Sequence, residues 1–222
     1  MPTIAVVGAG PGLGIEIARG FGRRGFRVAL IARNQERLDA LVATLRNEGI
    51  EAAGFEADVT DADAVAEAFD RIRATYGRVD VLEFSPAARD LASAVEAPDV
   101  SLANIRPHVD FYVGGAINSV SQVLPDMITA GAGTILITTG GGSVEPLPYL
   151  ANVNIAAAGL RNWVLNLHNV LSSKGVYVAH VAIMAWIGGG RPDAEPSVIA
   201  QQYLDLFDER TRAELHYVAI DG

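Results

Sequence analysis

Gly8, Gly10, Gly12 and Gly14 alternate with Ala9, Pro11 and Leu13 directly after the apolar run Ile4-Ala5-Val6-Val7. A short apolar run closed by glycines reads as a buried parallel strand. Beyond the glycines, Leu13, Ile17 and Phe21 recur at four-residue steps, the stripe of a helix that packs on a sheet. A strand, a glycine turn and a helix start together make an anion site. The glycines let the backbone come close to a ligand, and the unpaired N–H groups of the first helical turn point at it. The chemistry this predicts is the binding of a pyrophosphate at Gly8, Gly10, Gly12, Leu13 and Gly14. The alternative is a glycine-rich turn with no ligand. A Gly-x-Gly-x-x-Gly turn would need glycine where Leu13 stands, so the spacing here is Gly8-x-x-x-Gly12-x-Gly14.

The residues after the second strand, Arg27 to Ala32, choose between two nucleotides. An acid at the end of that strand would hold a ribose 2′-hydroxyl. Ala32 occupies the place, followed by Arg33 and Asn34. A guanidinium suits a 2′-phosphate through bidentate, charge-assisted hydrogen bonds. Arg33 and Asn34 therefore point to NADP(H) over NAD(H), unless Arg33 only covers the strand end in water.

The elements that must position these groups alternate along the chain. Strands are expected at Ala53 to Ala57, Val79 to Phe84, Thr134 to Thr138, Val176 to Ile183 and Leu215 to Ile220. Helices are expected on the stripe Leu38, Leu41, Val42 and Leu45, on Val65, Phe69 and Ile72 behind a Thr60 cap, and over 104–130, 152–172 and 197–207. This is the pattern of an α/β, doubly wound parallel sheet of about seven strands, a three-layer Rossmann fold in one domain over residues 1–222. The expected strand order is 3-2-1-4-5-6-7, with the ligand at the switch between strands one and four.

Composition narrows the classes. The chain has 222 residues, half of them hydrophobic, no cysteine, and 17 Lys plus Arg against 26 Asp plus Glu, a net charge of −9. Without cysteine there is neither a disulfide nor thiolate chemistry. The negative balance argues against a nucleic-acid surface. No apolar run is long enough to span a bilayer and no leader precedes the first strand, so a cytoplasmic protein is expected. Histidines at 108, 168, 180 and 216 show no metal-ligand spacing. His180 reads as a satisfied core histidine and His108 as solvent-facing. The absence of a Gly-x-Ser-x-Gly elbow removes support for Ser-His-Asp hydrolysis.

On the glycine spacing and the element order, the chain resembles the short-chain dehydrogenase/reductase family over essentially its whole length. The resemblance implies that Asp58-Val59 hold an adenine ring, with Asp58 accepting from the exocyclic amine; Asp58 also reads as a capping carboxylate. It implies that Phe84-Ser85-Pro86-Ala87 replace the family's Asn-Asn-Ala-Gly, leaving Ser85 and Ala87 to line the nicotinamide ribose. It also implies a homodimer or homotetramer and a small-molecule substrate.

The family's catalytic set is missing. Flanking matches put Val153 at the family's Tyr, Ala157 at its Lys, Gly140 at its Ser and Tyr112 at its Asn. Ile183-Met184 stand at the Pro-Gly after strand six, and no Tyr-x-x-x-Lys occurs anywhere. Neither Val nor Ala moves a proton. Replacement candidates are Tyr149, at the entry of the same helix, Tyr112, and Ser143 in the glycine loop; Asn152 and Asn154 flank the lost Tyr. A tyrosine at a loop or helix face is more often packing. The segment from Ile187 to the next helix is short, so the substrate lid is expected to be reduced, with Trp186 and Ile187 as an apolar wall. Three functions remain open. One is an NADP(H)-dependent oxidoreductase with a rebuilt site, acting on an imine or another activated double bond. The others are a non-catalytic NADP(H)-binding sensor or scaffold, and a non-redox cyclase or isomerase reusing the pocket.

Overall fold

The computed structural model describes residues 1–87 and 91–220. Seven strands, β1 (Thr3–Val7), β2 (Arg27–Ala32), β3 (Ala52–Glu56), β4 (Val81–Phe84), β5 (Gly133–Gly140), β6 (Val176–Ala185) and β7 (Glu214–Ala219), form one sheet in the order β3-β2-β1-β4-β5-β6-β7. Every pairing is parallel. The expected order and the switch between β1 and β4 are both present.

Alternation along the strands builds two cores. Ile4 and Val6 of β1 face helices α1 (Leu13–Arg23), α2 (Gln35–Asn47) and α7 (Pro196–Glu209), whereas Ala5 and Val7 face α3 (Ala62–Tyr76), α5 (Gly115–Ala130) and α6 (Ala151–Leu171). Among the described residues no helix is long and apolar enough to cross a membrane.

Several boundaries differ from expectation for local reasons. β3 starts at Ala52, β4 at Val81, and β5 and β6 run on to Gly140 and Ala185. Thr60 does not cap α3. Asp61 does, its carboxylate accepting from the N–H groups of Asp63 and Ala64, because Thr60 is already held by Asp58. The single long helix expected over 104–130 is instead α4 (Leu102–His108), a π-helical segment Val109–Gly114, and α5. Ser101 and Asn104 cap α4 reciprocally, and Pro107, with no N–H to donate, interrupts the α-helical bonding just before the π segment. His108 is buried at the end of α4, not solvent-facing.

Candidate active site

The glycine turn is pinned from below. The N–H groups of Gly8 and Ala9 both donate to the Ile31 carbonyl, at 2.9 and 3.1 Å. Gly8 has φ +90°, and a Cβ there would lie 2.4 Å from Pro86 Cα, so only glycine lets β1 pass under the loop after β4. Gly14 packs against Ala9, 3.1 Å from a would-be Cβ. A Cβ on Gly12, by contrast, would meet nothing within 4 Å. Gly12 is also the N-cap of α1 and makes no side-chain cap, while the Ile15 N–H of the first turn donates to the Gly10 carbonyl at 3.1 Å. Leu13 is half-buried and packs on the core, so only its backbone is placed toward a ligand.

Next to this turn lies a cavity of about 430 Å³ lined by Gly8, Gly10, Arg33, Asn34, Val59 and Ala87 among others. Gly12, Gly14, Asp58 and Ser85 fall outside its lining. Arg37 also lines it, a second guanidinium beside Arg33. Asn34 places it: its Oδ1 accepts from the Arg37 N–H at 2.8 Å and so caps α2. The sequence carries that signal, a cap residue with an arginine three positions on. Pro11, Pro86 and Phe111 complete the wall. An uncapped helix start, an open glycine cradle, two guanidinium groups and no acid at the end of β2 fit a dinucleotide bearing a 2′-phosphate.

Asp58 is largely occupied within the chain. Its Oδ1 accepts from Thr60 N at 2.9 Å and Thr60 Oγ1 at 2.7 Å, and its Oδ2 lies 3.8 Å from Arg33 Nη1. Burial alone would raise its pKa; the Thr60 hydrogen bonds and the Arg33 charge outweigh burial and hold it below its ordinary value. Ser85 likewise turns inward, donating to Glu83 Oε2 at 3.0 Å.

The four positions that the resemblance matches to the family's catalytic set fall outside the lining of this cavity. Val153 and Ala157 are buried on α6, Gly140 is exposed at the end of β5, and Tyr112 is half-buried in the π segment, its ring edge-on to Phe111 at 5.1 Å. Tyr149 is 59% exposed on the turn before α6. Asn152 and Asn154 are both committed to the fold. Asn152 is fully buried, accepts from Val95 N at 3.0 Å and donates to the carbonyls of Ser93 and Asn104 at 2.9 and 3.1 Å. Asn154 donates to the Leu147 carbonyl at 3.0 Å and packs on Gly142. Trp186 is 77% exposed, at the edge of a short segment. That segment is closed on itself by Gly188 N to Ala194 O at 2.9 Å and Tyr217 OH to Asp193 O at 2.6 Å.

Ser143, the third candidate, is buried and belongs to a chain of polar groups. Thr139 Oγ1 donates to Ser143 Oγ at 2.8 Å and lies 2.8 Å from His180 Nε2; His180 Nδ1 lies 2.9 Å from Glu214 Oε1. Arg161 of α6 clamps Glu214 with two donors at 2.5 and 2.8 Å. The Arg161 hydrogen bonds carry the Glu214 pKa down to about 2, and burial depresses that of His180 despite Glu214. Three strands supply this chain, and only their register assembles it: His180 pairs with Glu214 across β6 and β7.

A second buried cluster lies under the α1 and α7 face. Glu83 is wholly buried, accepting from Ser85 and from Thr138 at 3.3 Å, and Thr138 Oγ1 lies 2.6 Å from Tyr203 OH. Burial pushes Glu83 up to about 8 against the pull of those two donors, so it is a neutral acid at pH 7. An acid inside the apolar run of β4 was visible in the sequence.

Comparisons agree with this architecture. The family profile described as short chain dehydrogenase matches residues 2–185. Serine 3-dehydrogenase of Agrobacterium fabrum is 31% identical over 81% of this chain and 70% of its own length. Peroxisomal 2,4-dienoyl-CoA reductase of Arabidopsis thaliana is 31% identical over 63% of this chain and 45% of its own. The chain thus spans about half the length of several relatives it matches. Among solved structures, an actinorhodin polyketide ketoreductase with NADPH superposes with a TM-score of 0.87 at 22% identity, covering 98% of this chain and 95% of that one. L-sorbose reductase from Gluconobacter frateurii, complexed with NADPH and L-sorbose, gives 0.86 at 19% identity, covering 100% and 95%. From its profile match, its relatives and its sheet, the chain belongs to the short-chain dehydrogenase family.

Proposed function

We infer that this chain is an NADP(H)-dependent oxidoreductase whose active site departs from the family pattern. The observation that carries the reading is the cavity at the switch point, where Arg33 and Arg37 stand and no acid ends β2. Gly12 and the start of α1 receive the pyrophosphate, Arg33 and Arg37 the 2′-phosphate, and Ala57 and Val59 the adenine face. The nicotinamide of the bound nucleotide supplies or accepts hydride. Solved relatives complexed with NADPH support this choice of nucleotide.

Val153 and Ala157 hold no proton to give, which favours an acceptor that needs none from them. A cationic iminium already carries its proton, and hydride addition to a conjugated enoyl group gives an enolate that takes its proton from solvent. The Arabidopsis relative, named as a 2,4-dienoyl-CoA reductase, supports the second class. The loss of the family's proton-transfer residues also favours a second reading, an NADP(H)-binding sensor without turnover. Exposed Ile117 on α5 with Ile155 and Val170 on α6 support a homodimer or homotetramer built on those helices.

The test is NADPH deuterated at C4, incubated with cyclic iminium ions and with conjugated enoyl thioesters, and mass analysis of the product. Deuterium in the product is expected. Tight NADPH binding with no deuterium transferred to either class would leave the sensor reading in its place.

A further inference from the structure

Beneath Gly140, on the face of the sheet that carries Val153 and Ala157, the chain Ser143–Thr139–His180–Glu214–Arg161 is continuous, each contact between 2.5 and 2.9 Å. Its members are buried where it is deepest: Thr139 is 3% exposed, His180 0% and Ser143 6%. Ser143 lies three residues past Gly140, whose missing side chain leaves open space with no atom within 4 Å of a Cβ. The turn is fixed, since Met184 packs on Gly141 and Asn154 on Gly142. Arg161 is one helical turn beyond Ala157, the lost lysine position.

We propose that this chain is a proton relay in place of the missing tyrosine and lysine, with the Ser143 hydroxyl as the group that meets substrate and Thr139, His180 and Glu214 as the groups that resupply it. The proposal rests on the oxidoreductase reading and extends its substrate class to carbonyl compounds and alcohols. Hydrogen-bond arithmetic gives the chain two states. When Thr139 donates to Ser143, Nε2 of His180 must donate to Thr139 while Nδ1 donates to Glu214, so the ring is an imidazolium. When the ring is neutral, its proton stays on Nδ1 against Glu214, and Ser143 donates to Thr139 and Thr139 to Nε2.

Passing between these states moves one proton. As a carbonyl carbon gains hydride from reduced nicotinamide, its oxygen takes the Ser143 proton, Ser143 takes that of Thr139, and Thr139 takes that of Nε2. The imidazolium is left neutral and regains a proton from solvent. Alcohol oxidation runs the same transfers backwards. Glu214 and His216 on β7, Arg161 on α6 and Thr139 on β5 act on the ring, and Glu145 meets His216 at 3.8 Å. Burial lowers the His180 pKa, which makes the imidazolium of the donating state a ready proton source.

The experiment compares wild type with Thr139→Val and Ser143→Ala in single turnover, using NADPH with a ketone panel and with a preformed iminium ion. Relay function predicts that both variants slow ketone reduction by about a hundredfold or more, within the range of general acid catalysis, and flatten its pH profile. Iminium reduction should be slowed far less than ketone reduction, because its step carries no proton, so the ratio of the two rates should fall while NADPH affinity changes little. Equal losses on both substrates, or none on the ketones, would overturn the relay. If no substrate turns over, the oxidoreductase reading fails separately, and nitrogen NMR of the four histidines decides the relay. His180 must then change protonation within the folded protein at a pH that Thr139→Val shifts; a ring locked in one state from about pH 5 to 9 overturns the relay.

Discussion

Glu83→Gln should make the protein less sensitive to alkaline pH, and the size of the effect follows from the burial of this one acid. Glu83 is 0% exposed, and its pKa is pushed from 4.5 to about 8. The unfolded chain ionises it near the ordinary value, while the native state keeps the proton, so between those limits the native state binds more protons and stability falls as pH rises. Below pH 4.5 both states are protonated and nothing is lost; above pH 8 both are ionised and the loss levels off. At about 1.4 kcal/mol per pH unit, the penalty is about 1.5 kcal/mol at pH 5.5 and about 4.5 kcal/mol at pH 8.5. Gln keeps one oxygen to accept from one of the Ser85 and Thr138 hydroxyls, turns its NH2 to donate to the other, and never ionises. The difference in unfolding free energy between variant and wild type should therefore swing by about 3 kcal/mol in favour of the variant from pH 5.5 to 8.5. Urea unfolding followed by far-UV circular dichroism at the two pH values measures it, and groups common to both proteins cancel. A difference that stays constant with pH would refute the neutral, buried Glu83.

Three further substitutions separate the roles of single residues. Gly8→Ala should destabilise the fold by about 3 kcal/mol or more, seen in thermal melting, because φ +90° and a 2.4 Å approach to Pro86 Cα both oppose a side chain. Gly12→Ala should leave the melting temperature nearly unchanged, since its Cβ meets nothing within 4 Å, yet weaken nucleotide binding where the pyrophosphate must approach. Asn152→Ala removes the three hydrogen bonds that a fully buried side chain makes to the Val95 N–H and to the Ser93 and Asn104 carbonyls, and should cost about 3 kcal/mol in urea unfolding.

Whatever depends on neighbours in sequence could be read from the chain. The bounds of β2, the glycine turn and the strand order followed from apolar runs and helical stripes, because parallel strands buried on both faces are apolar throughout. What depends on register or on tertiary competition was hidden. Thr60 looked like a cap until Asp58 took its N–H and hydroxyl. Phe111, Tyr112 and Val113 look like ordinary helix residues, yet they lie in a π segment. His180 was legible as a satisfied core histidine. Its partners were not, because Thr139 is 41 residues away and Glu214 is 34, joined only by the pairing of β5, β6 and β7.

Whether Arg33 and Arg37 hold a 2′-phosphate is read by calorimetric titration of NADPH and NADH against wild type, Arg33→Ala and Arg37→Ala. A charge-assisted hydrogen bond to phosphate is worth about 2 kcal/mol, so each substitution should weaken NADPH by roughly thirtyfold. NADH, already the weaker ligand, should change by no more than about twofold, because it offers these guanidinium groups no phosphate. Equal affinity for NADPH and NADH in the wild type, or no binding of either, would mean that these guanidinium groups hold no 2′-phosphate.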